Sequence, residues 1–288
     1  MATLLDGRAI GARIREKVKA RVAAMPVSPG LAVILVGDDP ASHLYDALKK
    51  KACEEAGIRF ELFFYPADEP EESLIAKIEE LNGRRDVTGI LVQLPLPTQN
   101  ADRVIAAIRP DKDVDGFHRD NLKALAHGRP GIVSALALGI MKLVDEAKLP
   151  SPSKGEGQGE VRAHRHVAIV GSELFAEPLR HLFAEQRATV ERVDPLDPDL
   201  QAKTGTADIL VVAVGKPGLI VGSMVKPGAI VIDVGTTKVG RRVVGDVDAE
   251  SVSPVAGALS PVPGGAGPMT VAMLTLNILK AAELQKNP

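Results

Sequence analysis

The chain has 288 residues, enough for two domains or one large one. Hydrophobic residues make up 45% and charged residues 25%, the balance of a soluble globular protein, and a net charge of -2 gives no reason to expect nucleic acid or a membrane surface as partner. The single cysteine, Cys53, excludes an intramolecular disulfide and fits a reducing cytoplasm, and no Cys/His cluster has metal-ligand spacing. Asp6 comes too early for a secretory apolar core, and the apolar stretch 131–144 is too short to span a bilayer and reads as a buried helix.

Ile10, Ile14, Val18 and Val22 recur at helical spacing and predict an amphipathic first helix. The continuous apolar run Leu31 to Val36, ended by Gly37, predicts a strand buried on both faces and therefore parallel. Asp39 as N-cap and Pro40 at the first helical position predict a helix start, and Gly57 its stop. On that helix Leu44, Leu48 and Ala52 form an expected apolar stripe, with Tyr45 and Lys49 four apart beside it. A partly desolvated lysine gives up its proton more readily and suits proton chemistry, so this pair is a candidate cleft site. Phe60, Leu62 and Phe64 alternate in a second strand closed by Pro66. A helix carrying Leu74, Ile75 and Ile78 follows, then a third strand over Thr88 to Val92 with Gln93 at its carboxyl end, where ligands of open parallel sheets bind. The alternation predicts an α/β first domain.

Residues 121–147 read largely as helix, broken near Gly128-Arg129-Pro130. The Gly/Pro/Ser-rich stretch 150–162 lacks periodicity and reads as a flexible insertion. His166 to Gly171 opens a second α/β unit: strand, glycine, then a helix through Pro178 to Glu185, the way a nucleotide-binding half begins. Thr189 to Val193, ending at Asp194, is its second strand. Ile209 to Gly215 and Ala229 to Gly235 are two more buried strands, and Met269 to Leu284 is a final helix with a core stripe of Val271, Leu274, Ile278 and Leu279.

Three stretches carry a resemblance. They are Gly89-Ile90-Leu91-Val92-Gln93-Leu94-Pro95-Leu96-Pro97, Asp113-Val114-Asp115-Gly116-Phe117-His118 and Pro261-Val262-Pro263-Gly264-Gly265-Ala266-Gly267-Pro268-Met269-Thr270. With the Tyr45/Lys49 helix they resemble the bifunctional methylenetetrahydrofolate dehydrogenase/cyclohydrolase family over most of the chain. The resemblance implies two domains, each with a mainly parallel sheet: residues 1–121 plus 262–288 for folate and catalysis, and residues 122–261 as an inserted Rossmann-like cofactor domain. The active site would be the cleft between them. The implied reactions are oxidation of 5,10-methylenetetrahydrofolate by a nicotinamide cofactor and hydrolysis of the resulting methenyl cation to 10-formyltetrahydrofolate. Motif by motif, the catalytic lysine falls on Lys49 and its glutamine on Gln93, the folate-stacking tyrosine on Tyr45 and the pterin-holding aspartate on Asp115. Val92, Leu94, Pro263, Gly264 and Gly265 fall on the substrate-binding stretches. Gly171, Ser172, Glu173, Asp194, Gly215 and Thr236 fall near the cofactor. The family implies NADP and a homodimer.

The chemistry asks for these residue types independently. Water attacking a cationic one-carbon unit needs a base that is not permanently charged, a flat heteroaromatic needs a stacking ring, and a guanidine-like pterin edge needs a carboxylate.

The middle of the chain departs from the family pattern. Ser134 to Ala137 stand where the family has Pro-Cys-Thr-Pro. Gly171-Ser172-Glu173 replaces Gly-Arg-Ser, with the turn to Pro178 one residue shorter, and Val193-Asp194-Pro195 replaces Cys-His-Ser. Thr236 replaces Ile. The charge change at the adenosine-reading corner favours NAD, or weak binding, over NADP, because Asp194 stands where a carboxylate accepts from a ribose 2′-hydroxyl and would repel a 2′-phosphate. A cyclohydrolase with a degenerate cofactor domain and a non-catalytic folate-binding protein are the alternative readings. Lys49 with Gln93 argues against mere binding.

Overall fold

A computed structural model of the chain describes residues 1–38, 40–147, 165–240 and 242–286, without the side chains of residues 40–45. The expected N-cap Asp39, the side chains of Leu44 and Tyr45, and the 150–162 insertion lie outside the described residues. Two compact units form: Met1–Arg8 with Gly139–Met269, and Ala9–Leu138 with Thr270–Pro288.

The chain opens with β1 (Thr3–Leu4) and α1 (Gly7–Ala23), whose Ile10, Val18 and Val22 are buried. Then come β2 (Gly30–Val36), α2 (Pro40–Ala56), β3 (Arg59–Tyr65), α3 (Glu71–Gly83), β4 (Gly89–Val92), α4 (Ala101–Ala106), α5 (Arg119–Ala126) and α6 (Ala135–Glu146). A three-stranded parallel sheet in the order β3-β2-β4 pairs Leu31 with both Phe60 and Gly89. Every residue of β2 is buried, as a strand covered on both faces requires. Ala32, Ile34 and Val36 meet Leu74, Ile78 and Leu81 of α3 and Ile90 and Val92 of β4 in one core.

Two expected faces turn out differently. On β3 it is Phe63 and Tyr65 that join this core, while Leu62 and Phe64 are exposed. Strand alternation forces that choice: once Phe63 faces inward its neighbours face out. On α2, Leu48 is exposed and the buried face runs through Asp46, Lys49, Cys53 and Ala56, with Ala52 beside it. Helical spacing permits either stripe, and an ion pair between Asp46 and Lys49 lets two charged residues occupy the buried one.

The other unit contains β5 (His166–Gly171), α7 (Glu173–Glu185), β6 (Thr189–Val193), α8 (Leu200–Thr204), β7 (Ile209–Ala213), β8 (Ile230–Asp233), the hairpin β9 (Thr237–Val239) and β10 (Arg242–Val244), α9 (Ala249–Val252) and β11 (Ala258–Leu259). The chain ends in α10 (Ala266–Leu284). The six-stranded sheet has the order β1-β11-β8-β7-β5-β6 with parallel neighbours throughout. β6 lies on one side of β5 and β7 on the other, so the strand order reverses at β5 and opens a crevice beyond the carboxyl ends of β5 and β7. This is a Rossmann-like sheet. Its core includes Ala168, Val170, Leu210, Val212 and Val231.

The limits read from the sequence, 1–121 with 262–288 and 122–261, differ from those of the compact units. Thr3 pairs with Ala258, which carries residues 1–8 into the six-stranded sheet. The other change-overs fall inside α6 and α10, where a continuous helix leaves no loop signal.

Candidate active site

The first group of site residues is held by α2, β4 and the turn before α5. Lys49 is buried, 7% exposed, and its Nζ donates to Gln93 Oε1 and, at 3.1 Å, to Asp46 Oδ1. Gln93 follows β4, and its backbone N–H donates to Ile34 O at 2.9 Å, which fixes its place at the strand end. Its Nε2 donates to Leu94 O at 2.8 Å, so the amide is oriented with Oε1 toward the lysine. Asp46 is 3% exposed, and its second oxygen, Oδ2, is buried without a hydrogen-bond partner among the described residues. The reading of the sequence missed Asp46. The signal was present in the i, i+3 spacing of a carboxylate and the candidate lysine.

Asp113 and Asp115 divide the labour of one turn. Asp113 is buried and accepts from the backbone of Gly116 at 3.1 Å and His118 at 2.7 Å and from Asn121 Nδ2 at 3.1 Å. Gly116 sits at φ 81°, and a Cβ there would meet Ser134 N at 2.5 Å, so only glycine closes this turn. Asp115 is half-buried. Burial pushes its carboxyl up to about 6, Asp113 adds to the rise, and the Lys49 ammonium opposes it. Asp115 therefore feels the charge of Lys49 and belongs with Lys49 and Gln93. Val92 is buried and Leu94 half-buried on either side of Gln93. Near Lys49, burial pushes the Cys53 thiol up to about 12, which leaves it un-ionised and a poor nucleophile.

The second group lies in the other unit. Gly171 ends β5, and a Cβ there would meet the Phe175 ring at 2.9 Å and Ala213 O at 3.0 Å. Ser172 caps α7, its Oγ accepting from Phe175 N at 3.3 Å. Glu173 begins that helix and pairs with Arg180 and, at 3.8 Å, with Arg192. Arg192 also donates to Gly171 O at 3.0 Å and to Asp194 Oδ2 at 3.3 Å. Gly215 lies beyond β7 at φ 75°. Its N–H and that of Val214 donate to Asp246 Oδ2 at 3.0 and 2.6 Å. Asp233 accepts from Gly235, Asp246 and Val247 backbone N–H groups at 2.9, 3.0 and 3.0 Å, and burial pushes it up to about 6. These two buried carboxylates pin the ends of β7 and β8, a role that sequence reasoning missed because it took the Gly after each strand as the whole signal. Thr236 is exposed in the loop that follows. Gly264 and Gly265 are buried and Pro263 exposed, in this unit and not in the one that carries Lys49.

This second group fits a dinucleotide. A parallel sheet presents a side-chain-free strand end and a helix N-terminus at its switch point, with a carboxylate one strand over.

The tetrahydrofolate dehydrogenase/cyclohydrolase catalytic-domain model matches residues 5–115, and the NAD(P)-binding-domain model of the same family matches residues 134–286. The chain belongs to the tetrahydrofolate dehydrogenase/cyclohydrolase family. A family relative, the bifunctional protein FolD of Bordetella bronchiseptica, is 46% identical over 288 residues, covering 98% of each chain. The bifunctional FolD methylenetetrahydrofolate dehydrogenase/cyclohydrolase of Campylobacter jejuni is 38% identical, with a TM-score of 0.89 over 99% of this chain and all of that one. The methylenetetrahydrofolate dehydrogenase-cyclohydrolase of Trypanosoma brucei, solved with NADP and an inhibitor, is 33% identical, with a TM-score of 0.90 over 100% of this chain and 99% of that one. Both family models thus fall on the two groups of residues just described.

Proposed function

We propose that Lys49, oriented by Gln93, handles the protons in this enzyme, and that Asp115 holds the pterin. The chain is a methylenetetrahydrofolate dehydrogenase and methenyltetrahydrofolate cyclohydrolase of folate one-carbon metabolism. The observation that carries the assignment is the burial of Lys49 Nζ on two acceptors from different segments, Gln93 Oε1 and Asp46 Oδ1. In hydrolysis, water oxygen bonds to the methenyl carbon and one water proton passes to the amine. The carbon–N5 bond then breaks as the carbinol oxygen loses its proton and N5 gains one, so one proton is released overall. Asp115, when ionised, accepts from the amino edge of the pterin. Tyr45, one helical turn before Lys49, is assigned the stacking face, and Val92 and Leu94 further substrate contacts.

The bound dinucleotide supplies the hydride acceptor for the oxidation step. Gly171, Ser172, Gly215 and Thr236 would hold it. We assign NAD in preference to NADP, because Glu173 and Asp194 already offset the charge of Arg192, the arginine at that corner, against a 2′-phosphate.

A homodimer is part of the proposal. β3 is an edge strand of its sheet and exposes Leu62 and Phe64, a surface that pairing with a second copy would cover. No helix among the described residues is long and apolar enough to cross a membrane, and a chain with one cysteine, buried, suits the cytoplasm.

A spectrophotometric assay with methylene- and methenyltetrahydrofolate, with NAD and NADP each supplied, tests the proposal. Oxidation of the methylene compound faster with NAD than with NADP, and hydrolysis of the methenyl compound without cofactor, are the expected results. Absence of methenyl hydrolysis overturns the role given to Lys49.

A further inference from the structure

We infer that Asp46 is a positioning residue for Lys49: with Gln93 it forms a two-acceptor cradle that aims the reactive proton of the amine. This rests on the role proposed for Lys49. A lysine ammonium has three N–H donors and its neutral amine has two N–H donors and a lone pair. Two acceptors, Asp46 Oδ1 at 3.1 Å and Gln93 Oε1, engage Nζ. In the neutral amine these two acceptors take both N–H groups and leave the lone pair to receive a water proton. In the ammonium the third N–H is the one left to give back. Proton transfer is confined to a single vector in both directions, which neither acceptor achieves alone.

The cost of the arrangement points the same way. A buried carboxylate whose Oδ2 has no hydrogen-bond partner among the described residues carries a desolvation cost that an apolar residue at position 46 avoids. Apart from Lys49, the other buried residues of α2 among those described, Ala52, Cys53 and Ala56, are apolar. Packing alone therefore gives no reason for an aspartate there.

The experiment is methenyltetrahydrofolate hydrolysis by the parent, Asp46→Asn, Asp46→Ala and Lys49→Met, with kcat and KM measured separately and each protein checked for folding by circular dichroism. Asp46→Asn keeps an acceptor for the amine and should keep most of the parent kcat. Asp46→Ala loses the acceptor and should lower kcat about tenfold or more with little change in KM, the scale expected when a reacting group is misplaced. If Lys49→Met is inactive while both Asp46 variants keep the parent kcat, the cradle is refuted and the lysine assignment stands. If Lys49→Met hydrolyses at the parent rate, both fall. Should Asp46→Ala not fold, Asp46→Leu decides, and the parent kcat in that variant refutes the cradle.

Discussion

The buried side chain of Asn277 in α10 donates to the carbonyl of Val114, the residue before Asp115, at 2.9 Å. The same Nδ2 reaches Val133 O at 2.8 Å, so one amide from near the end of the chain clamps the turn that presents Asp115. Asn277→Leu leaves two carbonyls without this donor. Each buried orphan costs about 1–3 kcal/mol, so urea unfolding should show a loss of roughly 2–6 kcal/mol. The KM for folate should rise as the Asp115 turn loosens. A variant with parent stability would show that the clamp contributes nothing.

Asp115 should make folate binding depend on pH. Its carboxyl titrates at about 6 in the fold, against an ordinary value near 4. Binding of the pterin amino edge needs the ionised form, so folate affinity should weaken as pH falls through about 6. Asp115→Asn should bind folate weakly at every pH and lack that step. Stability runs the other way. Between roughly pH 4 and pH 6 the folded chain keeps a proton here that the unfolded chain has released, so this site's contribution falls as pH rises through that window. Asp233 adds a second group of the same sign. Urea midpoints near the two ends of the window should therefore differ less in Asp115→Asn than in the parent. An equal difference in both proteins would contradict this.

Cofactor preference should follow Asp194. Its Oδ2 takes a hydrogen bond from Arg192 at 3.3 Å and its Oδ1 one from Leu196 N at 3.0 Å, which holds the carboxylate at the end of β6. Asp194→Ser removes the repulsion of a 2′-phosphate and one of the two carboxylates paired with Arg192. The ratio of kcat/KM for NAD to that for NADP should fall roughly tenfold or more, the scale of one like-charge contact. A parent enzyme with the larger kcat/KM for NADP would contradict the electrostatic argument outright.

Much of this was legible in the sequence, and the physical reasons are specific. β2 was readable because a strand covered on both faces must be apolar throughout, and Gln93 because a polar residue ending such a run sits where parallel sheets bind ligands. Lys49 and Gln93, 44 residues apart, meet in the fold. What the chain hid were choices between equivalent faces. Leu48 and Lys49 are adjacent on α2, and the Asp46 and Gln93 contacts decide that the charged residue is the buried one. Leu62 and Phe63 pose the same ambiguity on β3, where a run of apolar residues leaves alternation undetermined. Long-range polar ties such as Asn277 to Val114 have no local signature at all, and neither do change-overs between units inside α6 and α10.

The central claim is that Lys49 moves the protons, and the most direct measurement is methenyltetrahydrofolate hydrolysis by purified Lys49→Met beside Lys50→Met. Lys50 is exposed, with Glu54 3.9 Å away, and serves as the neighbouring control. The account predicts a folded Lys49→Met protein whose hydrolysis rate is down ~10²–10⁴-fold, the usual scale for a lost general acid–base, and a Lys50→Met protein near the parent rate. A folded Lys49→Met protein that hydrolyses the methenyl compound at the parent rate would contradict it.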